Sequence, residues 1–456
     1  MVLSMNDIPK SADPGEAYRR TIDYLFALQK HGIKLELHNS VRLMEIMGGP
    51  HRKFRSVHVA GTNGKGSTSA FIAGMLQAAG LRVGLYTSPH LVNFTERIRI
   101  DGAPIPEERV VELAGRVRDG YGALSGIDAV NPTFFEVTTA AAFTYFAEEK
   151  IDIAVIEAGM GGRLDATNVI KPLVSVVTNI DIEHTQYLGD TLMLIAAEKA
   201  GIIKHGVPVV TGVAQEEAFT VIERTAEHLH AGVYRMGRDF AAERILTGTP
   251  TSFDYRGTHA SYGDLSIGLM GRHQVDNACL ALAAIERLRE AGIGVDEGAV
   301  RKGLSLARWP GRMECVARHP DIYLDGAHNP ASAIKLAETV RELMRFRRRL
   351  ILVIGILGDK DRDGILDALV PLSDVVVATK PAYDRATVVV TLCDAIRRLR
   401  AAVQSAETVD KAIDAARAMA AADDLILVTG SLYVVGEARE YLIPDSGSGQ
   451  LKGITG

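Results

Sequence analysis

Lys65 lies in the stretch GTNGKGST (residues 61–68), flanked by Gly64 and Gly66 and followed by the hydroxyls of Ser67 and Thr68. That composition suits phosphate. Small residues let backbone N–H groups converge on an anion at a helix start, and the ammonium reaches the outer oxygens. The common loop of this kind reads G-x-x-x-x-G-K-[ST], and its last hydroxyl meets Mg²⁺. Here Val59 replaces the first glycine and Gly66 replaces the hydroxyl residue. The loop is therefore not that of a GTPase or a common nucleotide kinase, and Mg²⁺ needs ligands from elsewhere. A plain glycine-rich connector is the alternative, but Thr62, Asn63 and Lys65 bring polar groups that a connector does not require.

Three downstream stretches offer such ligands. YTSPHL (86–91) places Ser88 just after an apolar run, VIEAGMGGRLDATN (155–168) ends a buried run on Glu157, and VTNIDIEHTQYLG (177–189) carries Asp181, Glu183 and His184. A hydroxyl, a carboxylate and an imidazole at neighbouring strand ends could hold Mg²⁺, which prefers oxygen and keeps water and phosphate among its ligands. Imidazole is unusual for this ion. Taken singly, each residue could as well be a hydrogen-bonded loop residue; together, beside a phosphate loop, they read as a metal site.

The elements that must position these groups are short β-branched runs alternating with helical patterns, the mark of parallel α/β layering. Strands are expected at 56–60, 82–86, 151–157, 173–179 and 207–211, and again at 321–325, 349–357, 374–379 and 425–430. The helix after the loop puts Phe71, Ile72, Met75, Leu76 and Ala79 on one face. Between 240 and 270 the text turns to short β-like pieces, followed by a helix from Asn277. Near Ala307 to Pro310, Pro310 and the adjoining Gly311 interrupt both periodicities, which predicts domains at 1–307 and 308–444 with a disordered tail at 445–456.

At 456 residues the chain exceeds one ordinary core. A formal net charge of −5 without a basic run gives no support for nucleic-acid or membrane-surface binding. Three widely spaced cysteines (Cys279, Cys315, Cys393) suggest neither a disulfide framework nor a cysteine metal site. The N-terminal stretch lacks an apolar core, and no run of about 18 apolar residues occurs. The expectation is a cytoplasmic protein.

Taken together, GTNGKGST, TSPHL, GGRLDATN, HTQYLG, EKAGI, PGRME and DGAHNP, in this order, resemble the folylpolyglutamate synthase and dihydrofolate synthase family of the Mur-ligase superfamily, over about residues 20–440. The resemblance implies an α/β fold: a P-loop Mur-ligase-like ATPase domain with a parallel-rich sheet, then a smaller Rossmann-like domain. It also implies an ATP-dependent amide ligase, in which a carboxylate becomes an acyl phosphate that the amine of L-glutamate attacks.

By similarity, Thr62, Asn63, Gly64, Lys65, Gly66, Ser67, Asn277, Arg312 and Asp325 bind ATP, and Ser88, Glu157 and His184 hold one or two Mg²⁺. Glu183 stands where the family often has Asp, with little consequence expected. Lys199 matches a lysine carried as an N6-carboxylated side chain; the plain alternative is an ammonium paired with Glu198 or Asp190 on a solvated face. His328 is expected near the phosphates, and Ser431 near glutamate. Thr133, Phe134, Phe135 and Glu136, with Leu164, Asp165 and Ala166, match segments that contact dihydropteroate in relatives. A flat pterin suits an aromatic wall and a carboxylate facing its amino-pyrimidine edge, although such an aromatic pair is otherwise core. Both segments together imply a bifunctional, monomeric enzyme acting on dihydropteroate and tetrahydrofolate. A monofunctional folylpolyglutamate synthase, a murein-precursor ligase, a phosphotransferase and an inactive nucleotide-binding regulator are the alternatives.

Overall fold

Alternating apolar runs and helices build two α/β domains in the structure, a computed structural model that describes residues 13–31, 36–123, 131–248, 250–399 and 401–443. The tail expected to be disordered, 445–456, lies outside the described residues. The first sheet contains β1 (Arg55–Ala60), β2 (Val83–Tyr86), β3 (Ile98–Ile100), β4 (Ala103–Pro104), β5 (Ile153–Glu157), β6 (Val174–Val177), β7 (Val209–Thr211) and β8 (Val233–Arg235). Its order is β4-β3-β2-β5-β1-β6-β7-β8, parallel except where β3 and β4 fold back antiparallel. β5 is buried throughout and β1 at all but its first residue, so both read as unbroken apolar runs rather than as alternation.

β9 (Ala241–Leu246), β10 (Thr251–Arg256) and β11 (Ser261–Ile267) form a separate antiparallel sheet. The third sheet contains β12 (Glu314–Ala317), β13 (Asp321–Leu324), β14 (Leu350–Ile354), β15 (Val375–Ala378), β16 (Val403–Ser405) and β17 (Leu425–Thr429), in the order β12-β13-β17-β14-β15-β16. Only β12 runs antiparallel there. Each expected strand is present. The unpredicted ones, β3, β4, β8, β12 and β16, are two to four residues long and lie at or beside sheet edges.

The helix Lys65–Ala78 buries Phe71, Ile72, Met75 and Leu76 in the first domain's core. It crosses the helix Glu297–Leu306 where Gly74 meets Gly303: a Cβ on Gly303 would lie 2.4 Å from Met75 N and Cα. The helix expected from Asn277 begins earlier, spanning Arg272–Glu290. Loops after β1 and β6 face loops after β13 and β14, so strand carboxyl ends of both domains open onto one seam, where open α/β sheets collect ligands. Among the described residues no helix is long and apolar enough to cross a membrane.

Candidate active site

β1 is the central strand of the first sheet, and its loop is shaped by close approach. Gly61 has φ +143°, and a Cβ there would lie 1.8 Å from Thr178 Oγ1. Gly64, in the left-handed region at φ +81°, begins the helix; its Cβ would lie 2.3 Å from Asn277 Oδ1. Only glycine fits either place. The Asn63 amide donates to Asn179 Oδ1 (2.8 Å), Thr178 Oγ1 donates to Asn63 O (2.6 Å), and the Asp181 amide donates to Thr62 Oγ1 (3.0 Å). Lys65 Nζ folds back to donate to the carbonyls of Gly61 and Thr62, both at 3.0 Å. Gly66 carries no side chain because the indole of Trp309 fills that space, with Nε1 2.8 Å from where a Cβ would be. The hydroxyl missing from the common loop has thus given way to a residue of the interdomain linker. Ser67, the next residue, is buried.

β5 pairs with β1 so that Glu157 lies level with Val59. Its carboxylate is buried, and its one hydrogen bond among the described residues is a long one, 3.4 Å from the Ser88 amide. Burial pushes the Glu157 carboxyl up to about 7, against the pull of Lys65, the Ser88 amide and Arg312. A cavity of about 60 Å³ at the seam is lined by Gly66, Ser88, Glu157, Trp309 and Arg312. Ser88 and Glu157 are thereby brought together, whereas His184 does not line this cavity; among the described residues no three His, Cys, Asp or Glu side chains converge in a metal-binding group. His184, at φ +51°, begins the short helix Thr185–Leu188, and burial lowers its imidazole to about 4.

Glu183, expected to matter little, is the meeting point of the seam. Its Oε1 lies 3.6 Å from His328 Nε2, 3.8 Å from His184 Nε2 and 3.9 Å from Lys360 Nζ. Burial acts upward on Glu183, but His328, His184 and Lys65 outweigh it and hold the carboxyl well below the usual range. Lys360, in the GDKD turn after β14, was not singled out from the sequence because nothing in a charged turn marks it as facing another domain.

Lys199 ends the helix Leu192–Ala200 and is buried, with no hydrogen bond or ion pair to its Nζ among the described residues. Burial and then Lys65 lower its ammonium to about 7. The solvated pairing with Glu198 does not form. Glu198 instead accepts from Arg163 Nε and Nη2 at 3.1 and 2.7 Å, while Asn168 Nδ2 donates to the Arg163 and Gly201 carbonyls.

On the helix Arg272–Glu290 of the first domain, Asn277 packs against Gly64 and donates to Gln274 Oε1 at 3.0 Å. Arg312 Nη1 donates to Gly311 O at 3.3 Å and its guanidinium lines the cavity. Asp325 accepts from the amides of Met313 and Ala327, both at 2.9 Å, and so ties the Arg312 turn to the His328 loop. His328 Nδ1 donates to Gly326 O at 2.8 Å, which turns Nε2 toward Glu183. Asn329 Nδ2 donates to Asn63 Oδ1 at 3.1 Å across the seam. Ser431 caps the last helix, accepting from the Tyr433 amide at 3.1 Å.

In the expected pterin segments, Thr133 and Glu136 form a capping box for the helix Phe134–Glu148. Phe134 is core, stacked on Phe26 at 5.4 Å, whereas half-buried Phe135 stacks on Tyr86 at 5.9 Å. Both Asp165 oxygens are engaged within their own loop, with Thr167 N and Oγ1 and with Met160 N. Leu164 is half-buried and Ala166 buried. Sequence reading missed Arg97: its buried guanidinium donates to His90 Nδ1 at 2.7 Å and lies 5.1 Å from the Phe134 ring centre. In ERIRI it reads only as one residue of an alternating strand.

The Mur ligase middle domain family matches residues 59–285 and the Mur ligase glutamate ligase domain family matches residues 311–432. These two domains and the nucleotide loop at their seam define an ATP-dependent ligase of the Mur type. A dihydrofolate synthase/folylpolyglutamate synthase of Bacillus subtilis is 39% identical over 433 residues, covering 93% of this chain and 99% of its own. That of Mycobacterium tuberculosis is 40% identical, covering 87% of this chain and 88% of its own. Folylpolyglutamate synthase of Mycobacterium tuberculosis complexed with ADP has a TM-score of 0.88 at 36% identity, covering 94% of this chain and 99% of that one. An Escherichia coli relative in complex with DHPP and ADP has a TM-score of 0.85 at 32% identity, covering 95% and 98%. The chain belongs to the dihydrofolate synthase/folylpolyglutamate synthase family.

Proposed function

We propose that this chain joins L-glutamate to dihydropteroate, giving dihydrofolate, and to tetrahydrofolate and its glutamates, with conversion of ATP to ADP and phosphate. The observation that carries this reading is the seam cavity, where Gly66 of the phosphate loop, Ser88, Glu157 and Arg312 meet. A substrate carboxylate oxygen attacks the terminal phosphorus and ADP leaves. The glutamate amine then attacks the acyl carbon, phosphate departs with the former carboxylate oxygen, and the amine sheds its extra proton to solvent. The first step brings two anions together, so its barrier falls where fixed positive charge is already in place. Lys65, the helix N-terminus and the Arg312 fork supply that charge from two domains.

Mg²⁺, one or two ions, fits the oxygen donors here: Ser88 and Glu157 offer hard oxygen, and Glu157 is a buried carboxylate whose hydrogen bond to the Ser88 amide is a long one; His184, its imidazole lowered by burial, is the further ligand this reading would draw in. When bound, the ion supplies positive charge to the phosphate oxygens. The same reading assigns residues 1–307 to ATP and the pterin, with Phe135 as its aromatic wall, and 308–444 to glutamate. The enzyme acts as a cytoplasmic monomer without nucleic-acid or membrane partners.

Lys199 completes the proposal as an N6-carboxylated residue. Carbon dioxide adds to a neutral amine, and a buried ammonium lowered to about 7 provides that form readily. The resulting anion faces Lys65 in place of a second cation.

The test is a substrate panel: ADP release with ATP, Mg²⁺ and glutamate plus dihydropteroate, tetrahydrofolate or a murein precursor in turn. Release that requires glutamate together with a pteroyl substrate supports the reading. Release without glutamate indicates a phosphotransferase, and release with tetrahydrofolate alone a monofunctional enzyme.

A further inference from the structure

One linker turn meets the phosphate loop, the loop that carries Ser88 and the seam cavity. The Arg312 amide donates to Trp309 O at 3.2 Å across Pro310 and Gly311, and φ +70° at Gly311 makes the turn type II. At its start the Trp309 indole rests on the phosphate loop, with Nε1, Cε2 and Cζ2 within 2.8–3.0 Å of where a Gly66 Cβ would stand. The Arg99 guanidinium lies 5.8 Å from the centre of that ring. On the other side Gly311 receives Leu91, from the loop that carries Ser88: a Cβ on Gly311 would lie 3.1 Å from Leu91 Cδ2. The turn ends in Arg312, in the cavity.

We propose that Trp309 is a positioning residue for phosphoryl transfer: its indole sets the seat of Gly66, and through the turn it sets the entry of Arg312. The inference rests on the ligase reading. It explains the glycine at position 66 as the complement of an indole from the linker, so the two residues form one steric unit.

The pair makes a compensation test. Gly66→Ala should lower kcat about 100-fold, as small displacements of a reacting centre can, because its methyl collides with the indole. Trp309→Ala should lower kcat by leaving the loop and Arg312 unseated. In the double variant the methyl enters the vacated space, so its activity should exceed the product of the two single losses by about tenfold or more. Simple multiplication of the losses overturns the proposal. Trp309→Phe keeps a ring over Gly66 and should stay within about tenfold of the native enzyme; a loss equal to that of Trp309→Ala also overturns it. All variants are compared at matched thermal stability. Trp309 is the one tryptophan in the sequence, so saturating ADP should change the intrinsic emission of the native enzyme, and an unchanged spectrum counts against the contact. That readout needs no ligation. Failure of the ligase reading would appear instead as no glutamate-dependent ADP release from the native enzyme.

Discussion

At Glu157 burial drives the carboxyl from the ordinary 4.5 to about 7, with Lys65 the strongest opposing influence. The folded protein therefore holds this proton more tightly than the unfolded chain does. The contribution to stability is fully present below about pH 4.5 and is lost as pH rises through about 7. Glu157→Gln cannot ionise. In metal-free protein the stability of the native chain relative to this variant should fall by on the order of 3 kcal/mol between about pH 4 and pH 8. Denaturant melts across that range check it; a pH-independent difference contradicts the burial argument. Lys199→Ala should lose most turnover and regain part of it with added acetate or formate, since these supply the anion that a carbamate would carry. An active Lys199→Ala enzyme would remove the carbamate while leaving the ligase standing. At this scale the sequence made the phosphate loop legible, since glycines and a lysine at fixed spacing state their chemistry. It left Lys360 and Arg97 unread and expected little of Glu183, because their meaning comes from partners more than 30 residues away or from burial that no local pattern encodes.

Among the elements, long buried strands were legible because both faces lie in the core, while two- to four-residue edge strands carry too few side chains to show a period. Pro at the second position of the turn 309–312 allows type I or II, and φ +70° at Gly311 decides for II. The crossing of Lys65–Ala78 over Glu297–Leu306 could not be read at all, since it depends on two glycines 229 positions apart meeting backbone to backbone. It predicts that Gly303→Ala, whose methyl would meet Met75 backbone at 2.4 Å, costs about 1–3 kcal/mol, as overpacking commonly does. Thermal unfolding measures this. An unchanged midpoint would show that the helices separate freely.

For the whole molecule, function depends on the seam. Asn63 meets Asn329, Glu183 meets His328 and Lys360, and Leu91 packs against the second domain's core. Gly436 lets the last helix approach, since a Cβ there would lie 2.2 Å from Leu91 O. Gly436→Ala should hold the domains apart, lowering kcat/KM about tenfold or more and enlarging the ADP-bound enzyme in small-angle scattering; native dimensions and rates would mean that closure does not pass through this contact. The central claim, that a carboxylate is phosphorylated at the seam before glutamate attacks, is tested most directly by labelling the dihydropteroate carboxylate with heavy oxygen. During turnover with ATP, Mg²⁺ and glutamate, the released phosphate should carry one labelled oxygen for each amide formed. Unlabelled phosphate accompanying labelled amide would contradict the acyl-phosphate route.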